Sequence, residues 1–131
     1  MGLARFVRYL VTSKLSGSKS YDALKLFAEG YSYREIASIT GMKFSQVRGY
    51  ISYAINQYGN SAKARAMIKY IIPIVEKIEP IVRDGQCLIC NTRVDWGHPY
   101  PARIHVSSKH GDLVDAYEKW VLSELYRAVN T

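Results

Sequence analysis

Apolar residues recur every three or four positions along much of this chain, and that spacing predicts amphipathic α-helices. The first such stretch covers residues 3–15 and the last covers residues 112–129, each with polar side chains on the opposite face. Between them, residues 21–58 carry three shorter helical patterns separated by Gly30 and Gly41. The apolar sides are expected to face a core; they consist of Leu3, Phe6, Val7, Leu10 and Val11 in the first stretch and of Leu113, Ala116, Tyr117, Trp120, Val121 and Leu125 in the last.

A further helical pattern covers residues 61–83 and is interrupted by Pro73, because proline lacks the backbone donor that a helix interior needs. Pro80 and the Asp-Gly pair that follows are expected to close this helix. The serine-rich residues 16–20 predict a short loop between the first two helices. The chain is therefore predicted to be mainly α-helical with short connections.

The segment from residue 21 to residue 58 carries signals for the ends of its helices. Gly30 can adopt the positive φ that ends a helix, and Ser32 precedes Glu35 by three residues, which is the spacing of a capping box. Gly41 ends the second helix, and Ser45 is expected to cap a third helix over residues 45–58. The predicted inward positions are Leu24, Phe27 and Ala28 in the first helix, Ile36, Ala37 and Ile39 in the second, and Val47, Tyr50 or Ile51, Ala54, Ile55 and Tyr58 in the third.

A short turn after a glycine sets two helices near a right angle, which is the helix-turn-helix arrangement. The small side chain of Ala37 lets the second and third helices approach closely. The third helix then projects a polar face, from which Gln and Arg can make paired hydrogen bonds to purine edges in the major groove. That face consists of Gln46, Arg48, Gly49, Ser52, Tyr53 and Asn56. The alternative is a three-helix core whose polar face contacts only water.

The order and spacing of these residues resemble the helix-turn-helix of LuxR-type regulators and of sigma-factor region 4. The residues that carry the resemblance are Leu24, Leu26, Phe27, Ala28, Gly30, Ser32, Glu35, Ile36, Ala37, Gly41, Val47 and Ile51. The resemblance implies that the third helix enters the major groove, where Gln46, Arg48 and Ser52 read bases and Lys43 and Ser45 contact phosphate. The DNA-contacting set is completed by Arg34, Gly49 and Tyr53.

The charge of the chain favours the same kind of partner. The 131 residues include 18 Lys and Arg against 11 Asp and Glu, a formal net charge of +7, which suits a polyanion such as double-stranded DNA. Residues 1–19 hold four basic side chains and no acidic one, whereas residues 87–131 hold five of each. Both phosphate contact and simple solvation remain open for the basic residues Arg5, Arg8, Lys14, Lys19, Lys63, Arg65 and Lys69.

Both cysteines and all three histidines fall within residues 86–111. Cys87 and Cys90 are separated by two residues, His105 follows after fourteen more, and His110 after another four. This spacing is typical of tetrahedral zinc sites, and thiolate and imidazole are the ligands that Zn²⁺ prefers. We therefore predict one structural Zn²⁺ ion. Because residues 87–131 have no net charge, we expect the ion to stabilise the fold and not mainly to bind DNA.

Residues 104–110 resemble the histidine-bearing helix of a two-cysteine, two-histidine zinc finger. Pro99 and Pro101 depart from that pattern, because they lie where such a finger passes from its hairpin to its helix. A disulfide between the two cysteines is one alternative, although it would close only a small loop. Thioredoxin-like redox chemistry is another, without the βαβ pattern that usually surrounds it. His98 is a reserve ligand that could replace one of the two histidines.

Motifs for catalysis are lacking in the sequence. There is no glycine-rich phosphate loop, no nucleophile elbow and no pair of carboxylates in an apolar setting. A catalytic zinc with one open position would need Glu118 or Asp95 as its base, and neither has a spacing that supports this role. We therefore predict that the protein is not an enzyme.

The last helix has more apolar surface than a chain of this size easily covers. It is expected either to pack on the zinc unit or to form a homodimer contact, since helix-turn-helix proteins often bind two half-sites as two-fold dimers. No run of 18 apolar residues occurs, so we expect no membrane span and a cytoplasmic protein, or one in the host cytoplasm if it is viral.

These observations predict a mainly α fold with a helix-turn-helix DNA-binding domain (1–60), a linking helix (61–85) and a zinc-finger-like unit that ends in a helix (86–131). The predicted function is sequence-specific binding of double-stranded DNA in transcription regulation. The combination of modules resembles small regulators of archaea and their viruses. Two alternatives stay open: a DNA-binding accessory of a recombinase or transposase, and a protein-interaction module that uses the zinc unit and the last helix.

Overall fold

The computed structural model describes residues 2–94 and 100–129. This part of the chain is mainly α-helical, as predicted, with one short hairpin. The helices are α1 (Gly2–Leu15), α2 (Lys19–Ala28), α3 (Tyr33–Thr40), α4 (Phe44–Tyr58), α5 (Ser61–Val75), α6 (Tyr100–Lys109) and α7 (Gly111–Val129), and the strands are β1 (Val82–Arg83) and β2 (Gln86–Cys87). Within the described helices, no apolar stretch is long enough to cross a membrane.

Helix α1 lies at the centre of the packing, where it contacts α2, α4, α5, α6 and α7. Phe6, Val7, Leu10 and Val11 are fully buried, which confirms the predicted inward side of this helix. Leu3 was expected on the same side but is exposed, because the first turn of the helix lies at the edge of the core.

The three helices predicted between residues 21 and 58 are present, and local signals set their ends. Gly30 follows α2 with a φ of +103°, and Gly41 ends α3 with a φ of +75°. The Ser32 hydroxyl accepts the backbone N–H of Glu35, and the Glu35 carboxylate accepts the N–H of Ser32. This reciprocal pair confirms the predicted capping box.

Two details of this segment differ from the prediction. Ile39 was expected to face inward but is 57% exposed, because the inner line of α3 runs from buried Ile36 to half-buried Thr40. The cap of α4 is Lys43, not Ser45: the Lys43 N–H donates to the Gln46 side-chain oxygen at 3.1 Å. Only two residues separate Gly41 from the helix, so Ser45 already lies in the first turn of α4.

Helix α5 is shorter than predicted. Asn60 caps it by accepting the N–H of Lys63 at 2.8 Å, and the helix continues through Pro73 before it ends at Val75. The expectation of one helix over residues 61–83 is therefore wrong beyond Val75. Pro73 leaves the carbonyl one turn earlier without its usual partner, and the helix ends two residues later.

Residues 82–87 form a β-hairpin, where the Asp-Gly pair was expected to close a helix. Val82 pairs with Cys87 and Arg83 with Gln86, and the turn residues Asp84 and Gly85 both have positive φ values, 54° and 76°. An Asp-Gly pair with this geometry is the preferred two-residue hairpin turn. The hairpin is fixed to the end of α1, since the Ile81 N–H donates to the Leu15 carbonyl at 2.8 Å.

Helix α7 packs against α6, in agreement with the expectation that it packs on the cysteine–histidine unit. It also packs against α1 and α5. Its buried residues Val114, Val121 and Leu125 belong to the same apolar cluster as Leu10 of α1 and Val47 of α4. The segment of residues 21–58 and the cysteine–histidine segment therefore share one core.

Candidate metal centre and nucleic-acid interface

The two cysteines lie on a tight turn that follows the hairpin. Cys87 is buried at the end of β2 and Cys90 is exposed three residues later. The Cys87 N–H donates to the Thr92 carbonyl at 2.9 Å, and the Asn91 N–H donates to the Cys87 carbonyl at 2.8 Å. These bonds hold both thiols on the same side of the turn, and neither cysteine forms a disulfide.

The two histidines come from the end of α6. His105 lies within this helix and His110 follows its last residue, and the centroids of their rings are 5.1 Å apart. The helix predicted over residues 104–110 is therefore present through Lys109. The reserve ligand His98 and the candidate base Asp95 lie outside the described residues.

The four side chains meet in the geometry of a single metal centre. The Cys87 sulfur lies 3.4 Å from His110 Nε2, the Cys90 sulfur lies 3.4 Å from His105 Nε2, and all four ligand atoms lie within 4.8 Å of one another. In a tetrahedral zinc site, the bond lengths place a sulfur and a nitrogen ligand about 3.6 Å apart. The predicted quartet is thus brought together and can hold one metal ion.

Thr92 is a member of this site that the sequence analysis missed. Its hydroxyl lies 3.1 Å from the Cys90 sulfur. Hydrogen bonds from the side chain and backbone of Thr92, with a further one from His110, lower the pKa of Cys90 to about 5. The thiolate is the form that binds metal, so these bonds favour the ligand state of Cys90. A hydroxyl residue two positions after a metal-binding cysteine is the signal that could have found it.

Helix α4 separates an apolar face from a polar face. Val47, Ile51 and Ala54 are fully buried against α1, α2, α3 and α5. The opposite face is solvent-exposed along the helix and carries Gln46, Arg48, Gly49, Ser52 and Asn56. A side chain built on Gly49 would meet no atom within 4 Å, so nothing within the described residues requires glycine there.

Tyr53 departs from the predicted outward face. Its ring is half-buried and stacks on Tyr9 of α1, with 4.8 Å between the ring centroids, and it also lies near Phe6. The guanidinium of Arg103 lies 4.5 Å from the centre of the Tyr9 ring on α1. Tyr53 therefore joins α4 to α1, which overturns the expectation that it faces outward.

Three other residues predicted to contact DNA surround the start of α4. Lys43 and Ser45 are exposed there, and Arg34 is exposed on α3. Phe44, the first residue of α4, was not predicted as part of the site, yet it is 44% exposed and lines a shallow hollow with Arg34 and Ala37.

Several basic residues that were candidates for phosphate contact are bound within the protein. Arg8 donates to Asp115 at 2.5 Å and to Glu118 at 3.0 Å, and these hydrogen bonds raise its pKa. Arg65 donates to the Phe27 carbonyl at 2.9 Å and covers the Phe27 ring. These two guanidinium groups therefore hold α7 and α2 within the protein, and a phosphate would have to compete with those contacts. The other exposed candidates are Arg5, Lys19, Lys63 and Lys69.

Comparison with protein-family models, with characterised proteins and with solved structures finds no match to this chain.

Proposed function

We propose that the protein binds double-stranded DNA in a sequence-specific manner, with α4 as the recognition helix. The observation that carries the proposal is the division of α4 into two faces. Val47, Ile51 and Ala54 are fully buried, while the opposite side exposes a polar row that no other described element covers. A helix held in this way can enter a major groove without losing its contacts to the core.

The side chains on the exposed row have suitable chemistry for reading bases. Arg48 can donate two hydrogen bonds to a guanine edge, and Gln46 can pair with adenine. The Gln46 oxygen accepts the Lys43 N–H in the unbound protein, so pairing with adenine would require this bond to be shared or released. Ser52 lies one turn after Arg48 on the same face and can contact either kind of base.

Backbone contacts would come from the residues around the start of α4. Lys43 and Ser45 are exposed on the turn and the first helical turn, and Arg34 is exposed on the neighbouring helix α3. Such contacts position a protein on the duplex without reading sequence. The excess of seven positive charges supports binding to a polyanion in general.

For the cysteine–histidine quartet we propose one structural Zn²⁺ ion. Two thiolates and two imidazoles form the preferred ligand set, and a full set of four protein ligands leaves no open position for a reacting water. The sulfur–nitrogen separations of 3.4 Å agree with tetrahedral bonding to one small ion. The ion would join the turn after β2 to the end of α6, and this part of the protein would have no catalytic role.

In the cell, this activity would serve transcription regulation in the cytoplasm, or in the host cytoplasm for a viral protein. A homodimer through α7 is compatible with the half-buried rings of Tyr117 and Trp120, which line a shallow hollow with Leu113 and Ala116. A two-fold dimer would place two α4 helices on two half-sites about one helical turn apart.

The experiment that tests the proposal is selection of bound sequences from a randomised duplex pool, with the zinc-loaded full chain at one near-physiological salt concentration. Salt is fixed because phosphate contacts alone can produce apparent affinity. We expect enrichment of a defined sequence, palindromic for a dimer and single for a monomer. The matched selection with Arg48→Ala should lose preference at one or more positions. Binding without any enrichment would contradict sequence-specific recognition.

A second candidate function is protein interaction through the metal-binding unit. Leu88 and Ile89, between the two cysteines, are 53% and 54% exposed, and Ile104 on α6 is 50% exposed. Apolar side chains exposed around one site are a feature of protein-binding surfaces. This candidate predicts that Leu88→Ser with Ile89→Ser abolishes a protein contact and leaves DNA affinity unchanged.

A further inference from the structure

Two arginines and a glutamine lie side by side on the outer face of the metal-binding hairpin. Arg83 pairs with Gln86 across the hairpin, and Gln86 in turn forms a bridge to Arg93. Residues directly opposite one another in a small sheet share a face. All three side chains are exposed, whereas Val82 and Cys87, the neighbouring pair, are buried. We call Arg83, Gln86 and Arg93 the hairpin row.

The two arginines of the hairpin row differ from Arg8 and Arg65, whose guanidinium groups are engaged within the protein. Arg8 pairs with two carboxylates. Arg65 donates to a backbone carbonyl and covers an aromatic ring. Within residues 2–94 and 100–129, neither Arg83 nor Arg93 forms an ion pair or a side-chain hydrogen bond. The exposed acid nearest in the hairpin is Asp84 in the turn, so the outer face carries a net positive charge.

The hairpin is held at a fixed place beside the recognition helix. The Ile81 N–H donates to the Leu15 carbonyl, and a side chain at Gly17 would come within 3.1 Å of the Val82 carbonyl oxygen, so the backbones are in close contact. The hairpin turn and the first half of α4 line the same cleft, which has a volume of about 760 Å³. Gly85 of the hairpin turn and Gln46 and Tyr50 of α4 are among the residues that line it.

We propose that the hairpin row is a second DNA-contacting surface, in which Arg83 and Arg93 bind the phosphate backbone that flanks the groove occupied by α4. This inference rests on the proposed function of α4. The amino-terminal end of a recognition helix is the end that approaches base edges, and this end of α4 is the one beside the hairpin. The planar fork of a guanidinium matches the oxygen atoms of a phosphate.

A metal ion at the centre would link the folding of the cysteine-bearing turn to the hairpin row. Gln86 precedes Cys87 and Arg93 follows Thr92, whose carbonyl accepts the Cys87 N–H. The Gln86 side chain donates to the Asn91 carbonyl at 3.3 Å and so fastens the turn that carries Cys90. A metal ion held by Cys87 and Cys90 would therefore fix Arg93 next to Gln86 and complete the row. Metal binding and DNA binding are linked through this turn.

The test compares the zinc-loaded full chain with the Arg83→Ala/Arg93→Ala variant on a duplex carrying the selected sequence and on a shuffled duplex. Affinity is measured over about 50 to 300 mM salt, because the slope of log affinity against log salt counts the phosphates contacted. We expect the slope to fall by about 2 in the variant. The affinities for both duplexes should fall by a similar factor, about tenfold or more, because phosphate contacts carry no sequence preference.

Matched variants separate this effect from loss of charge or of fold. Lys119→Ala with Arg127→Ala removes the same charge from α7, which packs on α1, α5 and α6, and should leave the slope unchanged. Arg83→Lys with Arg93→Lys keeps the charge and should keep the slope. Thermal unfolding of each variant checks that the fold is retained, as expected for exposed side chains.

The two proposals can fail separately. An unchanged slope in the Arg83→Ala/Arg93→Ala variant of a protein that binds DNA would overturn the hairpin row and leave α4 as the recognition helix. An equal fall of the slope in the α7 control would also overturn the row, because the effect would then follow from net charge. If the unchanged protein binds no duplex, the function proposed for α4 fails and the hairpin row fails with it.

Discussion

The guanidinium of Arg8 lies 2.5 Å from the carboxylate of Asp115, and it reaches Glu118 on the next turn of the same helix at 3.0 Å. These contacts join the first helix of the chain to the last, across 107 residues of sequence. They lie at the edge of the contact between α7 and α1, which is held mainly by buried apolar side chains such as Val121 and Leu10. They also occupy an arginine that would otherwise be a candidate for phosphate contact.

Arg8→Ala should lower the free energy of unfolding by about 0.5 to 1 kcal/mol, the range for partly exposed ion pairs. The side chains of Arg8 and Asp115 are 41% and 55% exposed, so water and salt weaken the pair. Urea unfolding at low and at high salt measures the loss, which should shrink as salt rises. Arg5→Ala, a change on an exposed part of α1, should have little effect on the free energy of unfolding. An equal loss in both variants would contradict a stabilising role of the Arg8 ion pairs.

Ser32→Ala should lower the free energy of unfolding by about 1 kcal/mol, because it removes the side-chain cap of α3. Ser38→Ala is the matched control, since Ser38 is exposed within the same helix and alanine is at least as good a helix former there. Denaturant unfolding of the two variants measures the difference. Equal stability of both variants would show that the capping box is not formed in solution.

The same capping box predicts a dependence of stability on pH. Hydrogen bonds from the backbone and side chain of Ser32 lower the pKa of Glu35 below its usual value. A lowered pKa in the folded state means that the contribution is complete above the usual carboxyl pKa and is lost as pH falls through the folded value. Glu35→Gln should therefore flatten the acid side of the stability profile, measured by thermal unfolding at a series of pH values. An unaltered pH profile of stability would contradict the hydrogen bond between Ser32 and the Glu35 carboxylate.

Cys90→Ser should abolish most of the stabilisation that zinc provides. Binding to the folded state alone adds about 2.7 kcal/mol at a free metal concentration of about 100 times Kd. Because Cys90 is exposed, its replacement leaves no cavity in the core. The metal-free forms of the variant and of the unchanged protein should therefore melt at similar temperatures. Thermal unfolding with and without zinc, together with the zinc content after dialysis, measures both effects.

The unchanged protein is expected to retain one zinc ion per chain. If zinc raises the melting temperature of the Cys90→Ser variant as much as that of the unchanged protein, Cys90 is not a ligand. If the purified chain retains no zinc at all, the proposed metal centre is wrong.

Tyr53→Ala should destabilise the protein by about 2 kcal/mol, because it removes a half-buried ring that stacks on Tyr9. Tyr53→Phe keeps the stacked ring and should retain both the stability and the affinity for duplex DNA. Denaturant unfolding and a DNA titration of the two variants distinguish a packing role from a DNA-contacting role. Loss of DNA affinity in a stable Tyr53→Phe variant would restore the outward role first predicted for this residue.

Features with local signals were predictable from the sequence. The capping box of Ser32 and Glu35 and the helix end at Gly41 depend on residues a few positions apart. The quartet of Cys87, Cys90, His105 and His110 follows from ligand types at suitable spacing, and the structure brings all four together. In each case the physical requirement acts within a short stretch or on a recognisable set of side chains.

Other features depend on contacts between distant parts of the chain. The hairpin at residues 82–87 has strands of two residues, too short for an alternating pattern, so its Asp-Gly turn was interpreted as the end of a helix. Tyr53 lies in a polar stripe, and only the position of Tyr9 on α1 turns it inward. No local pattern contains the partner of Arg8, which is 107 residues away.

The central claim is that Arg48 on α4 reads bases, and the most direct test is the ratio of affinities for a selected and a shuffled duplex at one salt concentration. We predict that Arg48→Ala lowers this ratio by about 5- to 150-fold, the equivalent of about 1 to 3 kcal/mol. The charge-matched Arg127→Ala on α7 should leave it unchanged. An equal ratio for Arg48→Ala and the unchanged protein would contradict the assignment of α4 as the recognition helix.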